Sequence, residues 1–172
     1  MNSHEFTLIL DRVPSEEEHD ALFEAGCDDA AVEERDRVGL LDFTREADSL
    51  AQALVSAIQD AERAGFRVEG VQTDDLVSLR TVAARLDRSY ESVRLLAAAK
   101  RGPGGFPPAM SGDGWALYSW SQVVDWSTRH LNAGAEVTAH EVEIAATDHL
   151  VRARNMLRDN KEREELCRIL TA

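Results

Sequence analysis

The sequence predicts an α+β protein made of two folded parts and a helical C-terminal segment, and three observations predict it. In residues 1–75 short apolar runs of strand length alternate with apolar residues at helical spacing. After residue 76 two short helical segments, each opened by a serine, are separated only by Asp87 and Arg88. Charge divides the chain in the same places. Residues 1–75 hold 20 acidic and 6 basic side chains, a net of −14; residues 76–133 come to +3, and residues 134–172 to −2. The boundaries are therefore expected near Asp74 and Asp75 and in the Asn132-Ala133-Gly134-Ala135 stretch, whose small residues suit a linker.

The first element is Phe6 to Leu10, an apolar run ended by Asp11-Arg12-Val13-Pro14 and read as a buried strand. Ser15 and Glu18 then form a capping box, Glu16 and Glu17 place negative charge in the first helical turn, and Gly26 stops a helix that runs from about Glu16 to Ala25. Two strands, Ala30 to Arg35 and Val38 to Thr44, flank Asp36-Arg37 as a hairpin, although the turn lacks the usual glycine. Ala47, Leu50, Leu54, Ile58 and Ala61 share one face of a second helix, capped by Asp48 or Ser49 and stopped by Gly65. Phe66 to Glu69 alternates as a half-buried strand. Strand, helix, strand, strand, helix, strand is the ferredoxin-like βαββαβ order, a four-stranded antiparallel sheet with both helices on one face.

No catalytic constellation accompanies these elements, and the protein is not expected to be an enzyme. The carboxylates lie on outward positions of amphipathic elements and read as a solvated face. His4 and His19 have no nucleophile in triad-like context, and Asp28-Asp29 lacks the alternating ligands of a calcium loop. Cys27 and Cys167 belong to no CxxC or Cys/His cluster, so no metal site or disulfide framework is indicated and no cofactor is expected. Gly102-Pro103-Gly104-Gly105 is no phosphate loop, because its proline removes one of the amides a phosphate needs. No run of eighteen apolar residues is present, and the start MNSHEFTLIL lacks the basic lead and long apolar core of a secretory signal, so no membrane association and a cytoplasmic location are expected.

Residues 76–133 carry the functional signal. Ser78 caps a helix from Leu79 to Leu86, and Ser89 caps a second from Tyr90 to about Ala99. Val82, Ala83, Leu86, Val93 and Leu96 supply the contacts between them, and Asp87 occupies a turn position that often holds glycine. Phe106-Pro107-Pro108 leads to Met110, Ser111-Gly112-Asp113-Gly114 makes a turn, Trp115 to Trp120 returns as a strand, and Ser121 caps a third helix carrying Val123, Val124 and Trp126. Trp120 and Trp126 are assigned to the core, with Trp115 left open.

In its order and spacing the segment VSLRTVAARLDRSYESVRLLAAAKRGPGGFPPAMSGDGWALYSWSQVVDW, within residues about 76–131, resembles the winged helix-turn-helix of the MerR and excisionase (AlpA-like) regulators. It departs from the family at Asp87 and in the Lys100-to-Gly105 insert. The resemblance implies sequence-specific binding of double-stranded DNA, with the second helix in the major groove and the wing on the backbone. Among the residues themselves, Ser89, Tyr90, Ser92 and Arg94 lie on the exposed N-terminal half of that helix. Arg94 suits a bidentate contact to guanine, and the serines and Tyr90 suit phosphates or base edges. Arg88, Lys100 and Arg101 flank the helix and suit phosphates.

From Glu136 onward the pattern is helical, with Val137, Ile144, Leu150, Val151 and Leu157 on an imperfect apolar stripe that needs cover from its own chain or a partner. Helices beyond the wing pair the family's dimers, so the resemblance implies a homodimer. The expected architecture is thus an acidic ferredoxin-like domain (1–75), a winged helix-turn-helix domain (76–133) and a C-terminal helical segment (134–172). The expected function is regulation of transcription or recombination, with a protein or small-molecule partner for the acidic domain. The rival reading is a non-enzymatic protein-interaction module whose acidic domain binds a basic partner.

Overall fold

The computed structural model describes residues 1–112, 116–132, 135–157 and 159–170, with the side chains of residues 169 and 170 excepted. It is a mixed α+β protein whose chain forms two compact units: residues 1–72 with 143–172, and residues 73–142. The expected third part is thus divided, because its apolar residues pack at two places. Ala135 and Val137 lie against the core of the second unit, whereas Ile144 and Val151 join that of the first.

In the first unit, β1 (Asn2–Leu10), β2 (Ala30–Arg35), β3 (Val38–Ala47) and β4 (Val68–Val71) form one sheet in the order β2-β3-β1-β4, every neighbouring pair antiparallel. Leu22 of α1 (Glu16–Glu24) and Leu50, Leu54 and Ile58 of α2 (Leu50–Arg63) pack on the face that carries Phe6, Leu8, Leu41, Phe43 and Val68. Both helices therefore cover the same side of the sheet. The local signals behave as their chemistry requires. Ser15 and Glu18 close the capping box, and the hydrogen bond from the Ser15 amide, with Arg12 beside it, lowers the Glu18 pKa. Ser49 accepts the Gln52 amide, and Gly26 and Gly65 take φ of 104° and 92° past the helix ends. Asp36 and Arg37 both adopt positive φ, 54° and 67°, the backbone of a two-residue hairpin turn made without glycine.

Three strands differ from their expected limits. β1 begins at Asn2 and β3 runs on to Ala47, because Asn2 to Glu5 pair with Thr44 to Ala47; the polar residues there gave no apolar signal. The last strand is Val68–Val71 where Phe66 to Glu69 was expected, since Phe66 is buried as the chain leaves α2, before pairing begins.

A buried ionic cluster also corrects the expectation that the carboxylates are merely a solvated face. Arg45 on β3 is 7% exposed and uses all five guanidinium N–H groups. Two go to the Asp29 carboxylate (2.8 Å each), and the others to Asp60 Oδ2 (2.8 Å), Ser56 Oγ (3.0 Å) and Gly26 O (2.5 Å). Burial alone would lower the Arg45 pKa, but the bonds to Asp29 and Asp60 hold it above its ordinary value. The cluster ties β3 to α2 and to the loop before β2. Cys27 is buried beside it, and burial, with the Asp60 charge, pushes its thiol up to about 11.

α6 (Ala139–Met156), from Glu143 onward, lies along β4. Asp148, 2% exposed, accepts the Val71 N–H at 2.9 Å and pairs with Arg152; Asn155 Nδ2 donates to Val68 O at 2.8 Å; Arg154 pairs with Glu62. Gly70 permits this approach, since a Cβ there would stand 2.3 Å from Asp148 Oδ1. α7 (Asn160–Leu170) is the last helix among the described residues.

Candidate nucleic-acid interface

The second unit is organised around the start of α5 (Trp120–Leu131). β5 (Leu76–Ser78) pairs antiparallel with β6 (Leu117–Ser119), bringing Asp75 to the first turn of α5. The Asp75 carbonyl accepts the Trp120 N–H (2.6 Å), its carboxylate accepts the Ser121 N–H (2.7 Å), and Ser119 Oγ accepts that of Gln122 (3.3 Å). Three successive amides without helical partners are thereby satisfied. The cap is Ser119 and not the expected Ser121, and Trp120 is the first residue of the helix and not the last of the strand. Asp75, expected at a domain boundary, is a buried part of the second unit.

α3 (Leu79–Arg85) and α4 (Tyr90–Ala97) have Ser78 and Ser89 as caps, accepting the amides of Thr81 and Ser92. Between them Asp87 takes φ of 50°, so the left-handed residue that the sharp turn needs is an aspartate. Val82, Ala83, Val93 and Leu96 are buried and Leu86 half-buried, as their spacing predicts. What remains outward on α4 is a strip of Tyr90, Glu91, Arg94 and Ala98, the last just past its end. Ser92 is half-buried, so it stands at the margin of the strip and not on it.

Arg94 is held by its own helix. Its Nε and Nη2 donate to the two Glu91 oxygens at 2.8 and 2.6 Å. These bonds lower the Glu91 pKa, with Lys100 contributing, and raise that of Arg94. The guanidinium fork of Arg94, expected from the sequence to suit a guanine, is therefore held in order by a carboxylate of its own helix. Arg88, Lys100 and Arg101 are exposed and make no ion pair among the described residues, the condition in which a cation is available to a phosphate. Arg80 was not singled out from the sequence. It lies over the Tyr90 ring at 5.0 Å, adding a cation at the start of α4, and no local pattern signals a contact between residues ten apart on different helices.

The remaining two arginines lie apart from this strip. Arg129 pairs with Asp125 on α5, while Arg85 sits over Trp120 and reaches Asp74 O. Residues 73–142 contain eight acids against seven bases, so the local surplus of cations around α4 is offset elsewhere in the unit.

After α4 the Lys100-to-Gly105 insert follows a defined path. Gly102, Gly104 and Gly105 take positive φ, a Cβ on Gly102 would meet Leu96 at 2.5 Å, and Trp126 Nε1 donates to Gly104 O at 2.9 Å. Phe106 packs edge-on against Tyr118 and Trp126. The outgoing arm is not a strand, yet Met110 N–H bonds to Leu117 O at 2.7 Å, joining it to β6. The tip, Asp113, Gly114 and Trp115, lies outside the described residues.

Among the described residues no group of three or more His, Cys, Asp and Glu side chains could hold a metal ion, and no helix is long and apolar enough to cross a membrane. Comparison of the chain with protein-family models, with curated proteins and with solved structures gave no match in any of the three.

Proposed function

We propose that the protein is a sequence-specific double-stranded-DNA-binding regulator, in which residues 73–142 act as a winged helix-turn-helix and residues 1–72 form a ferredoxin-like domain. The observation that carries this reading is the pair of capped helices α3 and α4 joined by the left-handed Asp87. Their outward strip presents Tyr90 and Arg94, and Arg88, Lys100 and Arg101 around it make no ion pair among the described residues. The bond from Met110 to β6 and the β5–β6 pair support a wing beside α4. The sheet order β2-β3-β1-β4 supports the ferredoxin-like assignment.

In this mechanism α4 enters the major groove, Arg94 exchanges Glu91 for the O6 and N7 atoms of a guanine, and Arg88, Lys100 and Arg101 neutralise phosphates. Ser89 uses its oxygen as a cap acceptor and keeps its O–H to donate to a phosphate. A homodimer would double this small contact across two half-sites. The face of α6 that carries Ile144 and Val151 is already used within the chain, so dimer contacts would fall to α7 and to exposed Leu150 and Met156. No cofactor or catalytic role enters the proposal.

The test is selection of duplexes from a random library at 50 and 150 mM salt, followed by titration of the best one. Arg94→Ala is expected to weaken binding roughly 5- to 150-fold and to relax preference at one base pair. Lys100→Ala is expected to weaken all duplexes alike and reduce the salt slope by about one. Binding unchanged by both substitutions removes the recognition-helix assignment. Absence of any selected duplex at 50 mM salt replaces it with the protein-interaction reading, which the acidic surplus of residues 73–142 favours.

A further inference from the structure

The two edges of the four-stranded sheet are finished differently. On the β4 edge, the seven steps along α6 from Asp148 to Asn155 rise about 10.5 Å, and the three steps along β4 from Val71 to Val68 span about 10 Å. The repeats match, so Asp148 and Asn155 meet outward-pointing backbone groups of the strand. The β2 edge has no such cover among the described residues.

Its free groups follow from the register. Thr44 N–H bonds to Asp29 O, and the pairs Ala31 with Asp42, Glu33 with Leu40 and Arg35 with Val38 continue that phase along the hairpin. The N–H and C=O groups of Val32 and Glu34 therefore point away from β3. Beside them, between β2 and α1, lies a groove of about 360 Å³. Leu22 and Val32 line its floor, Phe23 stands on its rim 66% exposed, and His19, Asp20 and Asp28 surround it. An open strand edge is a template for a further strand, and β2 contains no proline to prevent it.

We propose that the β2 edge and its groove bind an extended lysine- or arginine-bearing segment of a partner protein as a fifth strand. Charge chooses the occupant. Residues 1–72 hold 18 acids against 6 bases, and α1 alone presents Glu16, Glu17, Asp20 and Glu24. A second copy would set this acidic surface and Glu34 against themselves, whereas a cationic strand makes opposite-charge pairs with the same groups. On the groove face, which carries both Val32 and Glu34, an apolar side chain of the segment would lie over Val32 and Phe23 and a cationic one two residues away would pair with Glu34, while main-chain bonds to Val32 and Glu34 would supply sequence-tolerant affinity. The proposal stands apart from DNA binding by residues 73–142.

The test titrates the full chain into fluorescein-labelled acetyl-TVTKTVTKT-amide, whose valines and lysines share one face of the extended strand, read by anisotropy, with hydrogen exchange of the Val32 and Glu34 amides read in parallel. Saturating peptide is expected to slow exchange at both amides by about tenfold or more. Replacing Lys by Glu in the peptide, or N-methylating its alternate amides, is expected to abolish binding. Phe23→Ser is expected to weaken binding without lowering the melting temperature, because the ring is exposed. Unchanged exchange at saturation overturns the proposal, as does equal binding of the Glu or N-methylated peptides. So does a free chain of dimer mass by light scattering in which the two amides are already protected, since a second copy then fills the edge.

Discussion

Replacing Arg45 by Met removes the guanidinium from the buried cluster while keeping an unbranched side chain of similar reach. Asp60, 15% exposed, then loses its bond from Arg45, and Asp29, 28% exposed, loses both of its bonds. Gly26 O loses its partner as well. Breaking a buried pair by removing one partner costs about 3–5 kcal/mol, and the partial exposure of Asp29 together with the ion pair Asp60 keeps with Arg63 places the expected loss at the lower end, roughly 3 kcal/mol. That is a factor of about 150 in the opening equilibrium of residues 1–72. Urea unfolding at pH 7 followed by circular dichroism measures the change, and the thiol of Cys27 reports locally, since it is 4% exposed and adjoins Asp60. Its modification rate should rise with the opening constant. The triple change Arg45→Met, Asp29→Asn, Asp60→Asn should recover much of the loss, because it leaves no uncompensated buried charge. A loss below about 1 kcal/mol for the single variant, or a triple variant no better than the single, would refute the view that the charges stabilise each other.

Further outcomes follow from other contacts. Gly70→Ala places a methyl group against Asp148 and Arg152, so Asp148 must release the Val71 N–H; hydrogen exchange at Val71 should accelerate, and an unchanged rate would show that α6 yields without leaving the strand. Cys167 is exposed and Cys27 buried, so a thiol reagent at pH 8 should label Cys167 first and Cys27 only on unfolding. Because burial raises the Cys27 pKa from 9.0 to about 11, its contribution to stability is fully present below pH 9 and is lost as pH rises toward 11, by up to roughly 3 kcal/mol relative to Cys27→Ser measured over the same range. Trp126→Phe keeps an aromatic ring beside Phe106 but gives up the bond to Gly104 O; it should cost about 1 kcal/mol and speed proteolysis within residues 100–105.

Local chemistry was legible in the residues alone. Serines at 15, 49, 78 and 89, glycines at 26 and 65, and the spacing of Leu50, Leu54 and Ile58 each act through neighbours within about one helical turn, so they mark helix limits wherever the chain lies. The hairpin at Asp36-Arg37 and the turn at Asp87 were placed for the same reason, although neither holds glycine. Of the candidate interface, the position of α4 and its exposed arginines could be read. The pairing of Arg94 with Glu91 was within reach of the three-residue spacing but not singled out.

Partners distant in sequence were decided by tertiary structure. Asp29 and Asp60 flank Arg45 at sixteen and fifteen residues, Asp75 caps a helix 46 residues later, and Asp148 completes β4 from 77 residues away. A carboxylate on an amphipathic element reads as solvated unless its partner is known, and that partner is fixed only when the sheet closes. The same holds for the edges. The sequence by itself determined four strands and their lengths to within a few residues, but which edge α6 covers and which stays open depends on where Ile144 and Val151 find an apolar surface, and that surface exists only in the folded unit.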